Sequence, residues 1–323
     1  MKIAIMGAGA MGCMLGACLQ EGGADVSLIV RREEVAERYR TGGIQLKSYT
    51  DPDLNFGPYP MKAFANVEGM EVQDAILYLV KGPDTQAALE QTMPIIGDDT
   101  KLITLQNGVG NTDILAQAVP KERIYYGCVN ISAIMEAPGV LTGALFGDNN
   151  VCLGPLVSGE EQRGFGEQVC GMLKEGGVGA VYMEHVDSEV WYKLLLNLTA
   201  NAPCGIVRLH GGEAFENSEF YDMCKDIMQE AIDVAQKLGV DIDLDHLMGH
   251  VVPNAVKNAG QHYPSMAQDM MMKRARTEID FLNGAIERLG KQVGVPTLVN
   301  TTIARLVRTI ESNYDRQYYP SKN

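Results

Sequence analysis

Lys193, Asn197 and Asn201 recur four residues apart within Trp191-Tyr-Lys-Leu-Leu-Leu-Asn-Leu-Thr-Ala-Asn201. Positions i and i+4 of a helix share a face, so this spacing predicts one ammonium and two amides on a stripe about 12 Å long. The remaining positions are mostly apolar (Leu194, Leu195, Leu196, Leu198, Ala200), which predicts a helix inside the protein. A buried stripe of this kind must be satisfied, because an ammonium without a partner in apolar surroundings is costly. A small organic acid is long enough to lie along it. The competing reading is a lysine whose stem reaches water and two amides that bridge helices. Pro203 and Gly205 are expected to end the helix.

The stripe needs a reactant, and the N-terminus supplies the signal for one. Lys2-Ile-Ala-Ile-Met6 is a short apolar run that leads into Gly7-Ala8-Gly9-Ala10-Met11-Gly12 and then into a helical pattern. This is G-x-G-x-x-G between a strand and a helix. Gly7 permits the turn, Gly9 lets a pyrophosphate approach the backbone, and Gly12 lets helix and strand pack closely. The phosphates would sit on the helix N-terminus, where free N–H groups and the dipole favour anions. The second strand, Val26–Val30, ends in Arg31-Arg32 where an NAD-preferring site carries an acidic residue. Arginine suits a 2′-phosphate, so the expected cofactor is NADPH rather than NADH. The alternative is a surface arginine pair fixed by Glu33 and Glu34.

Further apolar runs at 75–80, 102–105 and 151–153 alternate with helical segments, which predicts a doubly wound, mainly parallel sheet. Ligands of such sheets bind beyond the carboxyl ends of the strands. Two ends are chemically pointed: one runs into Lys81, the other into Gln106-Asn107-Gly108-Val109-Gly110-Asn111. An amide beside two glycines can approach a ligand closely, although Asn-Gly also favours plain turns. After Ala180–Met183 the strand pattern stops and helices are expected at about 188–202, 218–238, 243–258, 265–290 and 296–313. The expected division is therefore an α/β Rossmann-type domain over 1–184 and an all-helical domain over 185–323. Gly239 should cap the second of these helices, and Pro296 suits the first turn of the last. Glu278 stands apart from a basic run, Lys273-Arg274-Ala-Arg276, because Ile279, Phe281 and Leu282 mark a packed segment. His246 and His250 share a helix face, but a surface or interhelix role outweighs half a metal site, and no metal is expected.

The totals limit the function classes. The 323 residues are 46% hydrophobic and 21% charged, enough apolar material for real cores and against a disordered chain. A net charge of −14 disfavours a nucleic-acid or anionic-membrane partner. Seven scattered cysteines without a C-x-x-C pair fit a reducing compartment. With no signal-peptide pattern and no run of about 18 apolar residues, the chain reads as cytoplasmic.

Gly7–Gly12, Lys81, Gln106-Asn107-Gly108-Val109-Gly110, Trp191-x-Lys193-x-x-x-Asn197, Ser265-Met-x-Gln-Asp269 and Thr277-Glu278-Ile-Asp280 together resemble the ketopantoate reductase (2-dehydropantoate 2-reductase) family, in order and over nearly the whole chain. The resemblance implies a Rossmann domain followed by a helical domain, with the active site between them. It implies NADPH-dependent reduction of a 2-oxo acid, ketopantoate to pantoate in pantothenate biosynthesis. By the same resemblance Lys193 is the proton donor and Glu278 a catalytic residue beside cofactor and substrate. Asn197, Asn201 and Ser265 bind the substrate. Asn107 serves both substrate and cofactor, while Arg31, Lys81 and Ala133 contact the cofactor together with Gly7, Ala8, Gly9, Ala10, Met11 and Gly12. A small-molecule acid is the expected partner, with a homodimer left open.

Two features depart from the family pattern. His210-Gly211-Gly212-Glu213 stands where Thr-Asn-Gly-Glu is common, so one substrate amide is absent. The interval from Ser265 to Glu278 is one residue longer, which inside a helix would turn a side chain by about 100°. Two other functions stay open. The Lys-x-x-x-Asn helix also resembles that of the 3-hydroxyacid dehydrogenases, although their Gly-x-Ser-Gly-Gly loop is missing. A non-catalytic NADPH sensor is the second, and it would need neither Lys193 nor Glu278.

Overall fold

Alternate residues of the first strand, β1 (Lys2–Met6), belong to opposite faces of one sheet. Ile3 and Ile5 enter a core with Cys13, Leu15, Leu28 and Leu173, whereas Ala4 and Met6 enter another with Ile76, Tyr78, Leu89 and Leu102. A strand covered on both faces reads as continuous apolar sequence, as this one does. The computed structural model describes residues 1–48, 55–143, 149–259, 263–273 and 275–317; Arg274 of the basic run lies outside them.

The chain divides into two compact units, Met1–Gln106 with Asn111–Val186, and Asn107–Gly110 with Asp187–Asn323. In the first unit the strands after β1 are β2 (Asp25–Ile29), β3 (Ile44–Ser48), β4 (Asn55–Tyr59), β5 (Lys62–Phe64), β6 (Ala75–Tyr78), β7 (Lys101–Thr104), β8 (Ile124–Val129), β9 (Ala133–Ala137), β10 (Val140–Gly143), β11 (Val151–Pro155) and β12 (Ala180–Tyr182). Eight of them form a sheet in the order β12-β11-β8-β7-β6-β1-β2-β5, parallel throughout except where β11 runs against β8. The helices are α1 (Ala10–Glu21), α2 (Glu33–Gly42), α3 (Thr85–Thr92), α4 (Asn111–Leu115) and α5 (Glu160–Glu175). The mainly parallel sheet is thus as the periodicity predicts. The chain passes from β1 to β2 on one side and returns to β6 on the other, which puts the topological switch point at β1 and β6.

A second sheet, β4-β3-β10-β9, was not foreseen. Its strands are short, and although β3 and β10 alternate buried with half-buried positions, β9 is half-buried to exposed along its whole length, so no apolar period marks that strand.

In the second unit, α6 (Asp187–Val207) carries the polar stripe. It is followed by α7 (Gly211–Phe215), α8 (Ser218–Lys237), α9 (Leu244–His246), α10 (Val252–Ala259), α11 (Ser265–Gln268), α12 (Asn283–Val293) and α13 (Leu298–Glu311). Three expectations are corrected here. The expected helix over 265–290 is broken: a π-helical turn occupies Asp269–Lys273, and a 3₁₀ turn occupies Ile279–Phe281. Between them side chains take over the backbone bonds, with Glu311 Oε1 accepting from Thr277 N–H at 2.6 Å and Thr277 Oγ1 accepting from Ile279 N–H at 3.2 Å. Pro296 also falls short of the last helix, whose N-cap is Thr297. Gly239 does cap α8: its N–H reaches Gln236 O at 3.1 Å, the next N–H reaches Ala235 O at 3.0 Å, and its φ of +80° is the left-handed value such a cap uses.

The third correction concerns Pro203, which does not end α6; the helix runs on to Val207. Proline has no N–H to give the carbonyl four residues back, and that carbonyl, on Thr199, accepts from the Cys224 thiol of α8 at 3.4 Å. A buried polar chain fixes the same stretch from the other side. Glu230 on α8 accepts from the N–H groups of Val299 and Asn300 at 2.8 and 2.9 Å, at the N-terminus of α13. Asn300 Oδ1 accepts from Asn283 Nδ2 at 3.0 Å, and the same Nδ2 reaches Leu198 O on α6 at 3.4 Å.

If the Cys224 thiol stands in for the missing proline N–H, Cys224→Ala should lower stability by about 1–2 kcal/mol in urea unfolding. In a Pro203→Ala background, where a backbone N–H is restored, that cost should shrink by at least half. Equal costs in both backgrounds would contradict the substitution of one donor by the other.

Candidate functional site

The first unit offers a cleft of ≈ 530 Å³ at the switch point, between the Gly7–Gly9 turn, Val30–Arg32 after β2, and Leu79, Val80 and Asp84 after β6. Gly7 takes φ +102°, and a Cβ there would meet Val80 N at 2.5 Å, so the turn accepts no other residue. A Cβ on Gly9 would meet nothing within 4 Å: that position opens on the cleft. Cys13 N–H makes the first ladder bond of α1, to Gly9 O at 2.9 Å, so the N–H groups of Ala10, Met11 and Gly12 precede the ladder. The Ala8 carbonyl points into the protein, accepting from the Tyr39 hydroxyl and the Cys13 thiol, both at 3.3 Å. Burial pushes the thiol up to about 12 and the phenol above its usual range, which keeps both protonated as donors. A carbonyl dipole is thereby turned away from any anion on the turn.

Arg31 lies on this cleft and forms an ion pair with Asp84, while Arg32 pairs with Glu34 at 2.8 Å and Glu33 pairs with Arg40. Of the surface-pair reading, then, only Arg32–Glu34 is present. Asp84 was missed by sequence reasoning; its only signal was a carboxylate three residues beyond the strand-end Lys81. Lys81 is half-buried and caps the turn Gly82–Asp84. Ala133 sits on β9 opposite Gly143 of β10, apart from the residues that line the cleft. Gln106 ties the strand ends together: its Nε2 reaches Val80 O at 2.8 Å and Thr85 Oγ1 at 2.7 Å, and its Oε1 accepts from Thr104 Oγ1 at 2.9 Å. Thr85 Oγ1 in turn donates to Asn111 Oδ1 at 3.0 Å, so both ends of the 107–110 loop are anchored.

In the second unit, Asn197 and Asn201 line a cavity of ≈ 270 Å³ whose walls include Phe215, Tyr221, Met228, Met248, Val252 and Tyr263. Asn201 is only 5% exposed, and among the described residues neither amide has a hydrogen-bond partner. Lys193 stands one turn earlier on α6, half-buried. Gly211, the first residue of α7, is buried and lines the same cavity. Ser265 is exposed at the start of α11 and is not part of the cavity wall.

Asn107 and Glu278 are brought together, Nδ2 donating to Oε2 at 3.4 Å. Gly108 explains why this loop needs glycine. Its φ is +81°, Val109 N–H bonds Phe281 O at 3.0 Å, and a Cβ on Gly108 would lie 2.1 Å from that same oxygen. The residues on either side of Glu278 are held by α13: Thr277 by Glu311, and Asp280 by Arg308, whose Nε donates to Oδ1 at 2.8 Å.

The family profile described as "Ketopantoate reductase PanE/ApbA" matches residues 3–156, and "Ketopantoate reductase PanE/ApbA C terminal" matches residues 185–311. The chain belongs to the ketopantoate reductase family. It is an oxidoreductase of that family, built to use a nicotinamide cofactor. It is 31% identical over 315 residues to the 2-dehydropantoate 2-reductase of Lactococcus lactis subsp. lactis (strain IL1403), covering 96% of this chain and 98% of that one. The corresponding protein of Archaeoglobus fulgidus is 28% identical over 314 residues, again covering 96% and 98%. Among solved structures, a ternary complex of D-mandelate dehydrogenase with NADH and anilino(oxo)acetate superposes with a TM-score of 0.86 at 29% identity, covering 98% and 100%. A PanE/ApbA family ketopantoate reductase from Ralstonia eutropha JMP134 gives 0.84 at 28% identity, with the same coverage. Among the described residues no helix is long and apolar enough to cross a membrane, and no group of three or more His, Cys, Asp or Glu is placed to hold a metal. His246 instead packs its ring on Tyr192 at 5.3 Å and on His250 at 5.6 Å.

Arg308, which holds Asp280, also pairs with Glu287 at 2.9 Å, and this clamp has a pH signature. Lys291 first, and Arg308 next, hold the buried Glu287 carboxyl below its usual range by hydrogen bonding. A depressed carboxyl adds stability above its unfolded value, near 4.5, and loses it as pH falls through the folded value. Unfolding free energy measured from pH 6 to about 3 should therefore fall less steeply in Glu287→Gln than in the native protein, and parallel slopes would contradict the clamp.

Proposed function

We propose that the protein reduces a 2-oxo acid to its 2-hydroxy acid with NADPH, ketopantoate to pantoate being the reaction that the curated relatives support. The observation that carries this reading is the α6 stripe: an ammonium and two amides on one helix face, beside a cavity of organic-acid size. The open position at Gly9 and the N–H groups that precede the α1 ladder fit a pyrophosphate, and Arg31 at the edge of that cleft fits a 2′-phosphate. Bound there, the nicotinamide would supply the hydride. Gly7–Gly12 and Arg31 bind and orient the dinucleotide, with Lys81, Asn107, Ala133 and Glu278 as further contacts.

Lys193 acts on the ketone oxygen. Negative charge develops there during reduction, so an ammonium aimed at it stabilises the transition state more than the ground state and then donates its proton. Asn197 and Asn201, with Ser265 and Asn107, orient the acid through neutral donors, leaving the charge of Lys193 for the reacting oxygen. Glu278 holds position beside Asn107, a role favoured by their 3.4 Å contact. The two-unit division is consistent with a cofactor domain and a substrate domain, the chain passing from one to the other after Val186. Seven buried cysteines, all free, suit the reducing cytoplasm.

Lys193→Ala should lower kcat for ketopantoate by 10²–10⁴-fold, with NADPH affinity by fluorescence within a few fold of native. Near-native turnover would remove Lys193 from its role, and arginine is no conservative control because its proton is held too tightly to transfer. Arg31→Ala should raise the KM for NADPH about tenfold or more and leave that for NADH nearly unchanged; equal effects on both would contradict the 2′-phosphate assignment.

A further inference from the structure

Among the described residues that line the switch-point cleft, the charged side chains are Arg31, Arg32 and Asp84. Arg32 pairs at 2.8 Å with Glu34, which is not part of the cleft wall, whereas Arg31 pairs with Asp84 inside it. A cleft that had only to hold a phosphate monoester would be weakened by a carboxylate in that place. Asp84 is nevertheless built in. It closes the turn Gly82–Asp84, where its N–H reaches Lys81 O at 2.8 Å, and it stands at the N-cap of α3. An aspartate at an N-cap ordinarily accepts from an N–H of the first helical turn. Asp84 makes no such bond, and its carboxylate goes to Arg31 instead. The Arg31 side chain is 80% exposed, and surface pairs of this kind are weak. The guanidinium can therefore change partner while the carboxylate stays on its anchored turn.

Resting on the reading of this cleft as a dinucleotide site with Arg31 for a 2′-phosphate, we propose that Asp84 sets the choice of cofactor and gives the protein a second one, NADH. Toward NADH, Asp84 accepts a hydrogen bond from the 2′-hydroxyl of the adenosine ribose and keeps Arg31 as its partner, the service a carboxylate performs in NAD-preferring sites. Toward NADPH, Arg31 leaves Asp84 for the 2′-phosphate, and the Asp84 carboxylate remains in the same cleft as an uncompensated charge of like sign. The arginine favours one cofactor and the aspartate the other. Discrimination between them is then smaller than Arg31 alone would give.

The test is fluorescence titration of the native protein, Asp84→Asn and Arg31→Ala with NADPH and with NADH, which needs no substrate. The native protein should bind both, with the Kd for NADH within about thirtyfold of that for NADPH. Asp84→Asn should bind NADPH about threefold more tightly and NADH about threefold more weakly, moving the ratio roughly tenfold toward NADPH. Asp84→Ser, also neutral and suited to an N-cap, should move it the same way. The gain for NADPH is a charge effect and should shrink in about 0.5 M salt, whereas a merely structural loss would weaken both cofactors together. A wider native gap, or a ratio that both Asp84 variants leave unmoved, would overturn the proposal. If Arg31→Ala still loses NADPH selectively, the cofactor reading stands without it. A ratio unmoved in all three variants, or binding of neither cofactor by the native protein, would overturn both.

Discussion

An apolar helix with a polar face can lie within a protein core only if something fixes that face, and α6 is built around this constraint. Its inner positions, Leu194, Leu195 and Leu198, are packed in the helical core with Ile227, Ile286 and Ile303. Its backbone is held by groups from its neighbours: the Asn283 amide at Leu198 and the Cys224 thiol at Thr199. Both contacts fall between Asn197 and Asn201, so the amides are presented on a stretch that cannot slide or unwind without breaking buried hydrogen bonds. Such bonds are modest in net worth, but costly to leave unmade. The amides themselves are spared from structural work, which is what a ligand-binding stripe requires.

The same division of labour recurs at the strand ends. Gln106 spends its amide on β6, β7 and Thr85, and Asn111 accepts from Thr85, so the four residues between them belong with the helical unit. Asn107 and Glu278 then meet on backbone that Gly108 allows and α13 holds. Gln106 thus fixes the strand ends from which the 107–110 loop departs.

Much of this was legible in the sequence because the relevant periods are short and local. The Gly7–Gly12 turn and the β1 alternation follow from residues that touch within a few positions. The Lys193-Asn197-Asn201 stripe needs only the geometry of one helix. What escaped depends on distant partners. Pro203 looks like a stop until Cys224, twenty-one positions on, supplies the missing donor. The segment 269–279 reads as one helix until Glu311 removes Thr277 N–H from the ladder. Asp84 could not be seen beside Arg31, because that ion pair joins the ends of two different strands. In the second sheet, β9 escaped because it has no buried face to betray its period.

The central claim is that the α6 stripe receives a 2-oxo acid with Lys193 at its ketone oxygen. A crystal structure with NADP⁺ and a 2-hydroxy acid product addresses it most directly. The account predicts the product hydroxyl within hydrogen-bond distance of Lys193 Nζ, and its acid head on the amides of Asn197 and Asn201. A product bound elsewhere, with Lys193 Nζ in bulk solvent and the two amides facing only water, would contradict it.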